Sequence, residues 1–235
     1  MKSMLTKSAV ALALGMALCA QTGFAADPAL KTEKDKHSYM IGMLWGKQLQ
    51  DIKGEVDLAM IQKGLNDSFT GGKTMLSEEE AQLASQEFRS KLQAKREAER
   101  KAAGEANLKT GEEFLAKNKT APGVKVTESG LQYQVIKEGT GPKPKANDQV
   151  KVHYVGTLIN GTKFDSSIDR GQPATFPLNG VIPGWTEALQ LMNVGSKYKL
   201  FIPGKLAYGE NGQPQGGIGP NEVLIFEVEL LEILN

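Results

Sequence analysis

The chain has 235 residues and is close to electrical neutrality, with 28 Lys and Arg residues against 27 Asp and Glu residues and a formal net charge of +1. Such a surface provides no long-range attraction for nucleic acid or for anionic lipid. The chain contains one cysteine and two histidines, His37 and His153, which argues against a disulfide framework, a cysteine metal site and a Ser-His catalytic pair.

The first 25 residues have the pattern of an export signal. Lys2 and Lys7 form a basic start, residues 9–20 form an apolar stretch, and a small residue at position 25 marks a cleavage site. The apolar stretch is shorter than the ~20 residues that a helix needs to span a bilayer. We therefore expect cleavage after Ala25, no membrane span, and a mature chain without cysteine. The expected location is the periplasm, with outer-membrane association or surface exposure as alternatives.

Residues 26–76 have helical hydrophobic spacing, but the segments are short. Residues 36–53 carry apolar side chains at intervals of three to five, and Asp57 is a typical N-cap for a second helix that Gly71 and Gly72 end. Segments of this size bury too little surface to form a core alone. Their apolar faces therefore need a partner, and a small monomeric helical cap is the alternative.

A long connecting helix is expected within residues 77–120. Ser77 and Glu80 form the capping-box pattern that opens it, and we expect it to continue to about Asn118. About forty residues at ~1.5 Å each would make a rod of about 60 Å. The middle of the segment is highly charged and has almost no apolar stripe, which predicts a helix that bridges two bodies through solvent. Gly104 and Gly111 weaken a helix by up to ~1 kcal/mol each and are candidate bend points.

After Val124 the hydrophobic period changes to two, as expected for half-buried strands with one solvent-facing side. Asn160-Gly161 predicts a two-residue type I′ hairpin. Residues 185–192 suffice for one helix of about two turns. The chain is therefore predicted to be α+β, with an antiparallel sheet and one short helix over residues 124–235. The alternating segments are 131–135, 150–154 and 226–230.

Five short motifs in this part of the chain bring aromatic side chains together with one carboxylate, Asp165. No nucleophile or metal-binding cluster accompanies them. This set suits the binding of an apolar group in a dry pocket better than it suits bond cleavage. The motifs are VHYVG at 152–156, NGTKFDS at 160–166, VIPGW at 181–185, LAYG at 206–209 and LIFEV at 224–228.

In order and spacing, these motifs resemble the FKBP-type peptidyl-prolyl cis-trans isomerases over residues 126–234. The preceding arm resembles that of the macrophage infectivity potentiator (Mip) group, a secreted bacterial branch of the family. The resemblance implies an antiparallel sheet curled around one short helix, and a second copy of the chain, in a homodimer, as partner of the arm. It also implies an isomerase without cofactor or metal, proline-containing client polypeptides as substrates, and inhibition by macrocycles such as rapamycin and tacrolimus.

The resemblance further implies roles for individual residues. The hydroxyl of Tyr208 and the backbone N–H of Ile182 would donate to substrate carbonyls. Asp165 would either stabilise the twisted amide or only orient its neighbours; a buried carboxylate needs partners, and Tyr154 and Arg170 are the expected ones. The floor and walls of the substrate-binding pocket would be Tyr154, Phe164, Phe176, Val181, Trp185, Ile218 and Phe226.

Residues 204–219 contain six glycines and predict a mobile loop over the pocket, from which Pro220 would also contact the ligand. Two positions depart from the better-known family pattern. Ala174 stands where many members have a phenylalanine, and Gln213 or Gln215 stands where a histidine is common. These departures leave substrate preference and macrocycle affinity open, while activity is still expected.

We therefore expect an isomerase that accelerates the folding of exported proteins. Rotation about an X-Pro bond is slow because amide resonance sets a barrier of ~18–20 kcal/mol. Binding the twisted amide more tightly than the planar one lowers that barrier without covalent chemistry. A dimeric periplasmic holdase with little turnover is the alternative, favoured by the methionine-rich arm. The complete set of site residues favours the enzyme.

Overall fold

The computed structural model describes residues 30–234, so the expected export signal lies outside the described part of the chain. The chain divides into two compact units, one ending at Met75 and one beginning at Leu76. Within the described range, no helix is both long enough and apolar enough to cross a membrane.

The first unit is made of two helices. Thr32 begins α1 in a capping box with Asp35. The predicted N-cap Asp57 begins α2, where its carboxylate accepts two backbone N–H groups of the first turn. Neither helix has a buried residue in the described part of this unit, so the unit has no core of its own. The bounds are α1 Glu33–Leu49, a 3-10 turn Gln50–Ile52, and α2 Leu58–Phe69.

The second unit begins with the long helix α3, Glu78–Asn118. The predicted capping box is present: Ser77 Oγ accepts from the backbone N–H of Glu80 at 3.2 Å, and the Glu80 carboxylate accepts from the backbone N–H of Ser77 at 2.8 Å. These two bonds satisfy N–H groups that a helix start otherwise leaves without partners.

The two glycines of α3 are contact points and not bends. The helix is uninterrupted, and Gly104 and Gly111 are its buried residues. A Cβ atom at Gly111 would lie 2.8 Å from Val223 Cγ2, and one at Gly104 would lie 3.4 Å from Pro220 Cβ. The expectation that the charged helix stays in solvent is therefore wrong for its C-terminal half. Without side chains at these positions, the helix can approach the segment before β7.

The end of α3 is attached to the sheet by further contacts. The rings of Phe114 and Phe201 have centroids 6.0 Å apart. Gln132, at the start of β2, donates from Nε2 to the carbonyl of Leu115 at 2.9 Å and accepts from Asn118 Nδ2 at 2.8 Å. These bonds satisfy a buried amide side chain and a carbonyl in the last turn of the helix.

The rest of the unit is a seven-stranded sheet with one α-helix. The strands lie in the order β1-β2-β6-β7-β3-β4, with β5 also paired to β3, and each of these pairs is antiparallel. The predicted fold class is confirmed. The bounds are β1 Val124–Val126, β2 Gln132–Lys137, β3 Gln149–Leu158, β4 Lys163–Ser166, β5 Ala174–Pro177, α4 Pro183–Leu191, β6 Lys197–Ile202 and β7 Leu224–Leu234, with 3-10 turns at Leu178–Gly180, Gly204–Leu206, Gly209–Asn211 and Pro214–Gly216.

The core lies between the sheet and α4. Every second residue of β3 is buried, including Val152 and Tyr154, which confirms the predicted alternation. Pro183 occupies the first turn of α4, where its missing N–H has no cost. Trp185 and Leu189 of this helix belong to the same buried cluster. The short helix is therefore held by its apolar face, which also fixes the position of its N-terminus.

The turn between β3 and β4 differs from the predicted type I′ hairpin. A type I′ turn needs positive φ at both central residues, but among the described residues Asn221 is the sole non-glycine with positive φ. Here Gly161 has a φ of 85°, and the N–H of Leu158 donates to the carbonyl of Thr162. Asn160 instead accepts the N–H of Thr162 through its side chain at 2.9 Å. This local bond favours the wider turn.

Candidate functional site

One cavity of about 550 Å³ in the second unit brings the predicted site residues together. Strands β3 to β5, the start of α4, the loop between β6 and β7, and β7 itself supply its walls. Gly180, Gln213 and Gly216 also line it. The ten predicted residues that line it are Tyr154, Phe164, Asp165, Phe176, Val181, Ile182, Trp185, Tyr208, Ile218 and Phe226.

Trp185 lies at the bottom of this cavity, with 4% of its surface exposed. Its ring meets those of Tyr154 and Phe226 nearly edge-on, with centroids 5.1 Å away in both cases and interplanar angles of 88° and 78°. Phe176 meets it at 5.7 Å and 89°. Edge-to-face packing of this kind places the positive edge of one ring against the negative face of the next. The floor is therefore rigid and apolar.

Gly156 allows two wall residues to approach each other. A Cβ atom there would lie 2.6 Å from Phe164 Cζ and 2.7 Å from Phe226 Cε1. The two rings fill that space and meet at 5.4 Å and 87°. The wall of the cavity thus requires a glycine at this position of the VHYVG motif. The sequence alone does not reveal this requirement.

Asp165 is held by the two expected partners. Tyr154 Oη donates to Asp165 Oδ2, and Arg170 Nη1 donates to Asp165 Oδ1. Arg170 Nη2 also donates to Tyr154 Oη at 2.9 Å, and the backbone N–H of Ser166 donates to Asp165 Oδ1 at 2.8 Å. The expected burial is only partial, because 41% of the Asp165 side chain is exposed. The carboxylate lies at the rim of the cavity, and both its oxygens are occupied.

These contacts determine which groups are charged at neutral pH. Burial opposes the charge on Asp165, but hydrogen bonds from Tyr154 and Arg170 outweigh it and hold the pKa of this carboxyl below its ordinary value. Burial, and then the hydrogen bond to the carboxylate, raises the pKa of Tyr154. Burial, with a smaller contribution from the charge of Asp165, raises the pKa of Tyr208. The site therefore presents one carboxylate and neutral hydroxyl groups.

The two hydrogen-bond donors predicted to contact the substrate have no acceptor within residues 30–234, and the buried Nε1 of Trp185 in the cavity floor has none either. The backbone N–H of Ile182, the residue before α4, is one of them, while the Ile182 carbonyl accepts from Trp185 and Thr186. The hydroxyl of Tyr208 is the other, and 39% of that residue is exposed. Since polar groups at a binding site normally find partners, these two are free to donate to a ligand.

The loop after β6 is more ordered than its glycines suggest. It contains three 3-10 turns, and Gln213 and Ile218 exchange backbone N–H···O bonds of 2.8 and 3.1 Å. Ile218 is 4% exposed at the cavity wall. The expectation that Pro220 contacts the ligand finds no support, since Pro220 packs at Gly104 and does not line the cavity. Ala174 pairs with Val152 and likewise lies outside the lining.

In the described part of the chain, no three His, Cys, Asp or Glu side chains are grouped as metal ligands. His153 lies on the strand face opposite Tyr154, and its Nδ1 is 3.0 Å from Ser167 Oγ. Ser167 Oγ in turn accepts from the backbone N–H of Tyr154. This contact helps to hold β3 next to Asp165 and is structural.

The chain is similar to known proteins over nearly its whole length. Residues 141–231 match the model of the FKBP-type peptidyl-prolyl cis-trans isomerases, and residues 34–135 match the model of the domain amino-terminal to such isomerases. The chain belongs to the FKBP-type peptidyl-prolyl cis-trans isomerases. The resemblance seen in the motifs is thereby confirmed, and with it the prediction of an enzyme.

Named relatives of this FKBP-type isomerase support the same assignment. FkpA of Aeromonas hydrophila is 51% identical over 86% of this chain and 77% of its own. The Mip isomerase of Coxiella burnetii is 45% identical over 94% and 95% of the two chains. The crystal structure of FkpA from Escherichia coli superimposes with a TM-score of 0.68 at 38% identity, covering 87% of this chain and 98% of that one.

Proposed function

We propose that this isomerase accelerates the folding of exported proteins by binding the twisted X-Pro amide in the aromatic cavity, with no covalent intermediate. The proline ring would occupy the apolar space above Trp185. The N–H of Ile182 and the hydroxyl of Tyr208 would hold carbonyls on either side of the rotating bond. An apolar wall favours the twisted amide, which is less polar than the planar form, and each ~1.4 kcal/mol of this preference accelerates rotation tenfold.

The observation that carries the proposal is that two hydrogen-bond donors without acceptors, the Ile182 N–H and the Tyr208 hydroxyl, lie beside an apolar aromatic floor. The apolar lining of the same cavity also supports the proposal that macrocycles such as rapamycin and tacrolimus bind there. Among the residues that line it, no cysteine, serine or threonine is present as a nucleophile. The chemistry that fits this lining is binding and orientation.

The decisive experiment is a protease-free isomerisation assay on short X-Pro peptides with Tyr208→Phe. Loss of one hydrogen bond to the rotating amide should lower kcat/KM by about three- to tenfold. Tyr133→Phe is the matched control, because Tyr133 stacks on Tyr198 outside the cavity and loses the same atom. Equal activity of the two variants, or wild-type turnover no faster than the uncatalysed rate, would overturn the proposal.

We also propose that residues 26–76 form a homodimer and that the protein acts outside the cytoplasm. The support for dimerisation is the exposure of large apolar side chains in the first unit: Tyr39 60%, Met43 61%, Trp45 49%, Met60 54% and Phe69 88%. Support for the location comes from the signal pattern of residues 1–25 and from a 46% identical relative named outer membrane protein MIP of Legionella longbeachae.

The same exposed side chains favour a second activity, the capture of unfolded clients. Methionine-rich surfaces adapt to partners of different shape, and a patch of this size is unusual on a protein that acts alone. A holdase activity without turnover is distinguished by the assay above. If the protein catalyses isomerisation in that assay, client capture is a second activity in addition to the isomerase activity.

A further inference from the structure

The loop that carries four of the thirteen cavity-lining residues is attached to the long helix. Arg100 Nη1 donates to the carbonyl of Glu210 and to Asn211 Oδ1, both at 3.0 Å. About two turns further along the helix, Asn107 Nδ2 donates to the carbonyl of Pro220 at 2.9 Å. All these groups belong to the same compact unit.

The two attachments flank three of the four cavity-lining residues of the loop, and the fourth, Tyr208, lies two residues before the first attachment. Glu210 and Asn211 lie between Tyr208 and Gln213, and Pro220 follows Ile218 by two residues. Tyr208, Gln213, Gly216 and Ile218 all line the cavity. A displacement of the loop at either attachment would therefore displace the residues that face the substrate.

The internal hydrogen bonds of the loop are joined by glycines, which restrict the backbone little. Gly209, Gly212 and Gly217 all have positive φ, of 57°, 63° and 71°, and glycine loses more conformational freedom on ordering than any other residue. At its end, Asn221 also has a positive φ of 56°, a strained state for a residue with a side chain. That state is held by the bond from its N–H to the carbonyl of Gly209 at 2.8 Å and from its Nδ2 to the carbonyl of Gly104 at 3.3 Å.

We infer that Arg100 and Asn107 of α3 are positioning residues for catalysis: they hold the loop of residues 208–220 in the conformation that binds the substrate. Neither residue lines the cavity. Their effect is exerted through the position of Tyr208 and Ile218, so the inference rests on the proposed substrate contacts of that loop. It gives the C-terminal half of the long helix a function in the active site in addition to its function as a connection.

The inference predicts a binding defect in the full-length chain. Arg100→Ala and Asn107→Ala should each raise KM for short X-Pro peptides by about two- to tenfold, the effect of losing one or two hydrogen bonds, and should leave kcat within about twofold. Arg100→Lys should recover part of the loss, because an ammonium group can still donate to the Glu210 carbonyl. In hydrogen exchange, the amides of residues 209–218 should exchange faster in both alanine variants.

Arg89→Ala is the matched control, because Arg89 lies on the same helix and its side chain bonds within the helix, to Ser85 Oγ at 2.9 Å. If Arg100→Ala and Asn107→Ala match this control in KM or in loop exchange, the inference is overturned. Faster loop exchange with an unchanged KM overturns it too, because the loop would then be held without consequence for the substrate.

The Tyr208→Phe assay tests a different statement, donation by one hydroxyl. If that variant is fully active while the Arg100→Ala variant binds substrate poorly, the proposed function of Tyr208 fails and the positioning inference stands. If the Tyr208→Phe variant is impaired while the Arg100→Ala variant binds substrate as well as wild type, the proposed function stands and the positioning inference fails.

Discussion

At the scale of single residues, the site combines apolar rings with one carboxylate that already accepts three hydrogen bonds within the protein. Asp165 accepts hydrogen bonds from Tyr154 on one oxygen and from Arg170 and the Ser166 N–H on the other. A carboxylate so occupied has limited capacity to bond a substrate directly. The structure therefore favours the orienting role over direct action on the amide.

Two substitutions at Asp165 separate these roles. Asp165→Leu should lower kcat/KM by about ten- to one-hundredfold, since it removes every bond to Tyr154 and Arg170. Asp165→Asn keeps an acceptor for the Tyr154 hydroxyl and should retain at least several times more activity than the leucine variant. Asp169→Asn, which removes the exposed ion pair with Lys163 and leaves the Asp165 carboxylate in place, is the control and should be close to wild type. Equal and severe losses in both Asp165 variants would instead indicate that the charge acts on the amide.

The lowered pKa of Asp165 makes a prediction about acid stability. Because the folded pKa lies below the ordinary value of 3.8, ionised Asp165 contributes stability above pH 3.8, and that contribution is lost as pH falls through the folded pKa. The free energy of unfolding of wild type should exceed that of Asp165→Asn by a constant amount at neutral pH, and the difference should shrink below about pH 4. Urea titrations of both proteins over this range measure it. A difference that persists unchanged into the most acidic samples contradicts the assignment.

At the scale of elements, α3 is both a continuous helical rod and, in its C-terminal half, a packed part of the isomerase unit. Its capping box and its helix-forming residues make it a continuous rod, and its glycine face makes its C-terminal half part of the isomerase unit. Gly104 and Gly111 weaken the isolated helix but permit the contact with Pro220 and Val223. The balance between these effects differs at the two glycines, because the space around them differs.

Alanine substitutions at the two glycines should therefore have opposite signs. At Gly104 a Cβ atom meets its neighbours at 3.4 Å, an ordinary contact, so Gly104→Ala should raise the free energy of unfolding by up to ~1 kcal/mol through helix propensity. At Gly111 the Cβ atom would lie 2.8 Å from the buried Val223, so Gly111→Ala should lower it by about 1–3 kcal/mol. Denaturation followed by Trp185 fluorescence measures both. Stabilisation by both substitutions would show that α3 does not pack closely on the segment before β7.

At the scale of the whole molecule, the catalytic cavity and the proposed dimerisation surface belong to different units. All the lining residues of the cavity lie between Tyr154 and Phe226 of one chain. The exposed apolar side chains of the arm lie before Met75. Turnover of a short peptide therefore needs one copy of the second unit, whereas protection of a long unfolded client can use the arm as well.

The double variant Met43→Glu with Met60→Glu tests this separation. Two charges on the exposed apolar faces should convert a dimer to a monomer in sedimentation velocity, since an unpaired charge is unfavourable in an apolar interface. Turnover of short X-Pro peptides should stay within about twofold of wild type, and suppression of client aggregation should fall. Val126→Glu, at a position that is 50% exposed in the second unit, is the control. Monomeric wild-type protein would refute the dimer.

Local patterns in the sequence were sufficient to predict most of the helices and strands and to name the residues that line the cavity. The Ser77 capping box, the Asp57 cap and the alternation in β3 are effects between near neighbours, and they are found as predicted. Eight of the ten cavity residues lie in motifs whose order and spacing are shared by a family, and Phe176 and Ile218 were assigned through the same family resemblance, so the assembly of one cavity did not need to be derived from long-range packing.

Tertiary structure decided what depends on residues far apart in the chain. Nothing local distinguishes a glycine that bends α3 from one that allows Val223 to approach it, and nothing local shows that Gly156 makes room for Phe164 and Phe226. The attachment of Arg100 to Glu210 joins residues that are 110 positions apart. The sequence by itself therefore determined the elements, the family and the chemistry of the site. The packing of the long helix determined how the loop over that site is held, because such contacts exist only after the chain has folded.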